Sequence, residues 1–159
     1  MINRKTTLHL ILLFSAFAVS AAYFIEYILG HQPCNLCLIE RIPYAFSIIL
    51  ILLFIFIQRF EKIFLIILSV TFIIAFIISF YHFGIEQGFI KESLVCDLNS
   101  TNTELTKEAL LNQLKSVTVS CKDATFKIFG LSLATINIFI SLTITTITIK
   151  LFLTYEKNK

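Results

Sequence analysis

IFLIILSVTFIIAFIISFYHFGI, residues 63–85, contains no charged side chain and is apolar around its whole circumference when drawn as a helix. At about 1.5 Å per residue, about 20 residues cross the roughly 30 Å hydrocarbon layer of a bilayer, and this run is long enough. A helix of this kind has no face to offer to water, so it belongs in lipid or in the middle of a large core. Working outward, three more uncharged windows appear: Ile42 to Gln58, Thr6 to Ile25 and Ile128 to Ile149. The second window along the chain, starting at Ile42, is slightly short of a crossing; the others reach it. With 57% apolar and 14% charged residues, too little polar surface is left to cover a soluble core.

The expected fold is therefore an all-α membrane protein, a four-transmembrane-helix bundle forming a single membrane domain over residues 1–159. The approximate spans are 8–28, 38–58, 63–83 and 130–151, with outer loops at 29–37 and 84–129. Arg4 and Lys5 followed by an apolar run, with small residues at Ala18-Val19-Ser20, can also be read as a secretory signal. The apolar stretch continues past Ser20 to Leu29, however, and three similar windows follow, so a retained helix is the better reading. In the last window Thr143, Thr145, Thr146 and Thr148 alternate with isoleucine, which in water would suggest a strand. In lipid a lone strand leaves its backbone unpaired, and the helix wins.

Charge sets the orientation. Arg4 and Lys5 precede the first span, Arg59 and Lys62 flank Glu61 in the second connection, and Lys150, Lys157 and Lys159 outweigh Glu156 in the tail. Glu40 and Arg41 balance in the first connection, and acids slightly outnumber lysines in the third. The positive-inside bias puts both termini and the second connection on the cytoplasmic side. Within the third connection, Thr101-Asn102-Thr103-Glu104 resembles a capping box. It opens a segment in which Leu105, Ala109 (or Leu110) and Leu114 share a stripe, so a short helix on the outer membrane surface is expected, with a loop helix packed on protein as its rival. No glycine-rich phosphate loop or nucleic-acid signature is present, and the net charge of +3 sits largely at cytoplasmic flanks.

All four cysteines fall in the outer connections. Cys34 and Cys37 form a Cys-x-x-Cys pair in the first, while Cys96 and Cys121 bracket the surface helix in the third. Disulfides persist outside the cytoplasm. A bridge across two residues constrains the unfolded chain little, so its commoner use is thiol–disulfide exchange. Cys96 and Cys121 would close a longer loop, where a plain staple is equally open. A metal site using these cysteines with His31 is the other alternative, but a single Cys-x-x-Cys is a weak zinc signal, and no metal is expected.

If the second helix begins near Leu36, it reaches full crossing length and Cys37 sits in its first turn, where the helix dipole favours a thiolate. Arg41 then lies one turn deeper on the same face. It can snorkel, pair with Glu40 or Glu26, or donate to the carbonyl of an apolar electron acceptor. Pro43 either kinks this turn or marks the true helix start. His82, near the outer end of the third span, can donate to a bound ligand or cap local carbonyls. Tyr23, Tyr44, Tyr81 and Phe83 are expected to be interface anchors.

Pro33-Cys34-Asn35-Leu36-Cys37-Leu38-Ile39-Glu40-Arg41, Val95-Cys96-Asp97, and Cys121 followed by Phe129-Gly130-Leu131-Ser132 resemble the DsbB family of disulfide bond formation proteins, and the likeness covers nearly the whole chain. The chain lacks tryptophan, and Phe126 stands where the family has an aromatic before its Phe-Gly-Leu run. The resemblance implies a four-helix bundle in the bacterial inner membrane, with redox cysteines on the periplasmic side. It implies that Cys96 forms a mixed disulfide with a soluble periplasmic thioredoxin-fold thiol oxidase and that Cys121 is its pair mate. Electrons then pass to Cys34 and Cys37 and on to membrane quinone, ubiquinone or menaquinone. Cys37, Arg41 and His82 are the expected quinone contacts. From another class, a structural or transport protein with two stabilising disulfides predicts that neither bridge exchanges.

Overall fold

The structure is a computed structural model that describes residues 4–57, 60–91, 121, 127–128 and 130–157. Four of its helical spans are long and apolar enough to cross a membrane: Arg4–Tyr27, Asn35–Phe56, Glu61–Glu86 and Leu133–Glu156. The helices are α1 (Arg4–Tyr27), α2 (Asn35–Ile39), α3 (Arg41–Phe56), α4 (Glu61–Glu86) and α5 (Leu133–Lys157). The protein is thus a helical membrane bundle, with one two-stranded ribbon among the described residues. The surface helix expected around residues 105–114 lies outside the described residues.

The second span is built from α2 and α3. It begins at Asn35, before the boundary expected at 38, and its hydrogen-bonded ladder is interrupted at Glu40. Pro43 has no N–H to give the Ile39 carbonyl, and its ring crowds that carbonyl, which breaks the ladder there. Glu40 nevertheless keeps right-handed helical torsions (φ −64°, ψ −19°), so the two pieces continue as one span. The two readings of Pro43 therefore meet: the helix starts at Asn35 and is interrupted just before the proline.

The fourth span, by contrast, starts later than expected, at Leu133 rather than 130. Lys127–Ile128 pairs antiparallel with Leu131–Ser132, and Gly130 takes φ +82° in the turn between them. Glycine adopts that left-handed conformation without steric cost. The Ser132 hydroxyl then accepts from the Thr135 N–H at 3.2 Å, an N-cap that sets the start of α5 at Leu133. Inside α5 the hydroxyls of Thr143 and Thr146 donate to the carbonyls of Phe139 and Leu142, both at 2.8 Å. Thr148 likewise donates to the Thr145 carbonyl at 3.0 Å, whereas Thr145 Oγ1 is buried without a partner; three of the four hydroxyls are thus satisfied within the helix.

α4 packs most closely on α5, α1 on α3, and α3 on α4. Leu8, Ile11, Leu50, Ile51, Leu65, Leu68 and Phe72 make the main apolar core. One serine on each long helix is fully buried (Ser15, Ser47, Ser79 and Ser141). Small side chains let helices approach where lipid supplies no hydrophobic drive, and Ser47 donates to Ser15 at 3.0 Å across α1 and α3. Outward-facing Leu13, Phe17, Phe56, Ile77 and Phe139 are exposed, which suits a lipid environment and not water.

Arg4 pairs with Glu61 at 2.8 Å and Lys62 with Glu156 at 2.5 Å. The start of α1, the start of α4 and the end of α5 therefore meet at one end of the bundle. At the other end α4 closes on Gly88 (φ +75°), and the Ile90 N–H donates to the Gly84 carbonyl at 3.0 Å. Ile90 folds back over Gly84, where a Cβ would stand 2.7 Å from its Cδ1. Cys34 and Cys37 lie at this second end.

Candidate functional site

Cys34 is the N-cap of α2, and its sulfur accepts from the Cys37 N–H at 3.2 Å. The sequence reading gives the helix-start stabilisation to Cys37; the structure gives it to Cys34, because the cap sulfur faces the otherwise unpaired N–H groups of the first turn. Cys34 is 1% exposed and Cys37 half-buried, and both are free thiols. Cys37's thiol hydrogen bond draws the Cys34 thiol down most; burial opposes it, and hydrogen bonding and charge from His82 lower it further, to about 5.

Around this pair α3, α4 and α5 converge in a buried polar network. His82 on α4 is 1% exposed, with Nε2 at 3.5 Å from the Cys34 sulfur and Nδ1 at 3.0 Å from Glu40 Oε1. The other Glu40 oxygen accepts from Asn137 Nδ2 at 3.2 Å, and the same amide nitrogen donates to Ser79 at 2.7 Å. The Tyr44 hydroxyl donates to Asn137 Oδ1. Tyr44 is therefore no interface anchor: it is buried, because its hydroxyl finds an amide partner inside the bundle. Glu86 Oε1 stands 3.8 Å from His82 Nε2, and its Oε2 is buried without a hydrogen-bond partner.

Arg41 turns away from Glu40 and pairs with Glu26 of α1 at 2.5 Å, its guanidinium lying 5.1 Å from the Tyr23 ring centre. This leaves Glu40 to the histidine and asparagine. Between α1, α3 and α5 lies a cavity of about 320 Å³. Phe14, Phe17, Ala22, Ile136 and Ile140 are among its apolar walls, while Cys37, Arg41, His82, Glu86 and Asn137 supply its polar end. An apolar slot with a few convergent polar groups suits a small, flat, largely apolar molecule carrying hydrogen-bond acceptors.

Cys121 is fully buried and disulfide-bonded. It packs in one apolar cluster with Cys34, Leu36 and Ile85, against which Cys37, Ile39 and Tyr81 also rest. Cys96 lies outside the described residues. The structure thus brings together Cys34, Cys37, Cys121, Arg41 and His82. Sequence reasoning missed Asn137, gave Glu40 only a charge-balancing or arginine-pairing role, and passed over Glu86. One signal was available for Asn137: it stands one turn before Ser141 in an otherwise apolar span, and polar residues at that depth are costly unless used.

A free thiol pair capping a membrane helix, with a disulfide-bonded cysteine packed beside it, marks a multi-pass membrane protein of thiol–disulfide chemistry. The family model described as "Disulfide bond formation protein DsbB" matches residues 4–151, and the chain belongs to that family. It is a disulfide oxidoreductase of the disulfide-bond-forming class. "Uncharacterized protein RP370" of Rickettsia prowazekii (strain Madrid E) is 30% identical over 162 residues, covering 98% of this chain and 92% of that protein. No solved structure matches the chain.

Proposed function

We propose that this protein oxidises the dithiol of a periplasmic thioredoxin-fold thiol oxidase and delivers the two electrons to quinone from the membrane pool. The protein sits in the bacterial inner membrane with both termini cytoplasmic and its four cysteines on the periplasmic side. The observation that carries the reading is the position of Cys37, which lines a largely apolar cavity between the spans while its partner Cys34 shares a buried cluster with disulfide-bonded Cys121.

In this scheme the donor's thiolate attacks the Cys96–Cys121 bridge at Cys96, and the donor's second thiol resolves the mixed disulfide. The donor leaves oxidised, and Cys96 and Cys121 are left as thiols. The Cys121 thiolate then attacks Cys34 of an oxidised Cys34–Cys37 pair, which their place in one buried cluster favours. Cys37 leaves as the thiolate; the Cys96 thiolate then attacks Cys121 of the resulting Cys34–Cys121 bridge, re-forming Cys96–Cys121 and releasing the Cys34 thiolate. Cys34 and Cys37 now hold two electrons and two protons and give them up as their own bridge re-forms.

The cavity fits quinone in size and chemistry: largely apolar walls and a polar end that holds Cys37 and Arg41. Bound there, a quinone supplies a sink for two electrons and two protons. Arg41 would hold a carbonyl oxygen, with the guanidinium steadied by Glu26. His82 sits within reach of the Cys34 proton, and Glu40 fixes the ring that would take it.

Quinone reduction by the purified protein, followed by absorbance with a reduced thioredoxin-fold oxidase as donor, tests this. Turnover should disappear in both Cys37→Ser and Cys96→Ser. If wild-type protein leaves quinone oxidised while both disulfides persist through the assay, the reading is wrong and the structural or transport alternative takes its place.

A further inference from the structure

When reduced, the Cys34–Cys37 pair does more than store electrons. The two sulfurs and a ring nitrogen of His82 all lie within 4.8 Å of one another. Zinc–sulfur bonds of about 2.3 Å and zinc–nitrogen bonds of about 2.05 Å, set at the tetrahedral angle, separate a sulfur from a nitrogen by about 3.6 Å. The Cys34 sulfur stands 3.5 Å from His82 Nε2. The spacing is therefore already that of two corners of such a site.

Two further observations point to a cation. His82 Nδ1 meets Glu40 Oε1 at 3.0 Å, and Asn137 holds the carboxylate's other oxygen. A carboxylate behind a histidine, with the far ring nitrogen facing the ligand position, is the usual outer support of a zinc-binding imidazole. On the open side, Glu86 Oε1 is 3.8 Å from the same Nε2, and Glu86 Oε2 is buried with no hydrogen-bond partner. Glu86 stands outside the 4.8 Å group of the two sulfurs and the ring nitrogen, so it would complete the site by closing on a bound ion, which would give Oε2 the partner it lacks.

We propose that the reduced form of this site binds one thiophilic divalent cation of the zinc class through Cys34, Cys37, His82 and Glu86, and that the oxidised form does not. Binding releases thiol protons, and disulfide formation removes both sulfur ligands, so occupancy follows the redox state. A cation held here ties up both sulfurs and competes with their oxidation. That inhibitory consequence rests on the oxidase reading above; the binding itself does not.

The probe is Co²⁺, which reports sulfur ligation by a thiolate-to-metal absorption band and tetrahedral geometry by its visible bands. Full-length protein in detergent is reduced, freed of reductant and titrated with Co²⁺ and then Zn²⁺. One ion per chain should bind with both signatures and be displaced by Zn²⁺, while air-oxidised protein shows neither. Cys34→Ser and Cys37→Ser should each lose or halve the sulfur band. Glu40→Gln, which touches no metal, should weaken affinity by about 10–100-fold. The absence of a sulfur band in reduced wild type, or a band unchanged in both serine variants, overturns the proposal. A second arm adds Zn²⁺ to the donor-driven turnover assay, where inhibition reversed by a chelator is expected. Binding without inhibition removes the regulatory consequence. Binding in a protein that never turns over leaves the metal site standing and counts against the oxidase reading instead.

Discussion

Among single residues, the division of labour within the Cys-x-x-Cys pair follows from one geometric fact. Cys34 caps the helix and faces His82, whereas Cys37 sits one turn on, at the cavity wall. The reduced pair should therefore hold its negative charge on Cys34. In a Cys96→Ala, Cys121→Ala background, its ultraviolet thiolate absorbance should persist from neutral pH downward and be lost only as pH falls through about 5. The sign follows from a lowered thiol pKa: the anion is present above that value and protonated below it. His82→Ala removes a hydrogen bond and a charge that favour the anion, so the loss should move to higher pH. A midpoint in the ordinary thiol range for the His82-containing protein would contradict this assignment. The cysteines, Arg41 and His82 could be picked out of the sequence by residue type and position. Glu40 could not be assigned, since its choice of His82 over the adjacent Arg41 depends on Glu26 of α1 capturing the guanidinium.

For the helices, Asn137 is the main tie among α3, α4 and α5. Its amide nitrogen serves Glu40 and Ser79, and its oxygen accepts from Tyr44 and from Ser141. Asn137→Ala should destabilise the bundle by about 1–3 kcal/mol, because buried groups lose their partners without gaining water. Unfolding in mixed micelles measures this; an unchanged midpoint would show that the neighbours re-pair. The same substitution should slow turnover, since Glu40 loses the hydrogen bond that holds it against His82. Helix existence was legible from apolar runs, but helix ends were not. The interruption at Glu40 and the late start of α5 both come from backbone chemistry: a missing proline N–H in one case, a glycine turn and a serine cap in the other.

Across the whole molecule, the Arg4–Glu61 and Lys62–Glu156 pairs tie one end of the bundle, while Cys34, Cys37 and Cys121 lie at the other together with the Arg41–Glu26 pair. The pair between Lys62 and Glu156 is half exposed on both sides, so it should contribute no more than about 1 kcal/mol. Its end of the bundle matters more for orientation, through the cationic excess that favours the cytoplasm. In a chain stripped of native cysteines, Gly88→Cys should react with a membrane-impermeant thiol reagent added from the periplasmic side, and Phe60→Cys should react only after the inner membrane is opened. The reverse pattern would invert the proposed topology and, with it, the access of a periplasmic donor to Cys96.

Composition and four long apolar runs were enough to determine a membrane bundle, because spanning lipid is a one-dimensional requirement of length and uniform hydrophobicity. The motif around Cys34 and Cys37 was enough to indicate redox chemistry, because two thiols three positions apart are close whatever surrounds them. Only the tertiary structure decided which sulfur caps the helix and faces the histidine, which carboxylate that histidine takes, and that Asn137 binds three helices together. Those choices join residues separated by as much as 97 positions, such as Glu40 and Asn137. Buried polar groups must find partners wherever the packed helices leave them, and local sequence does not specify where that is.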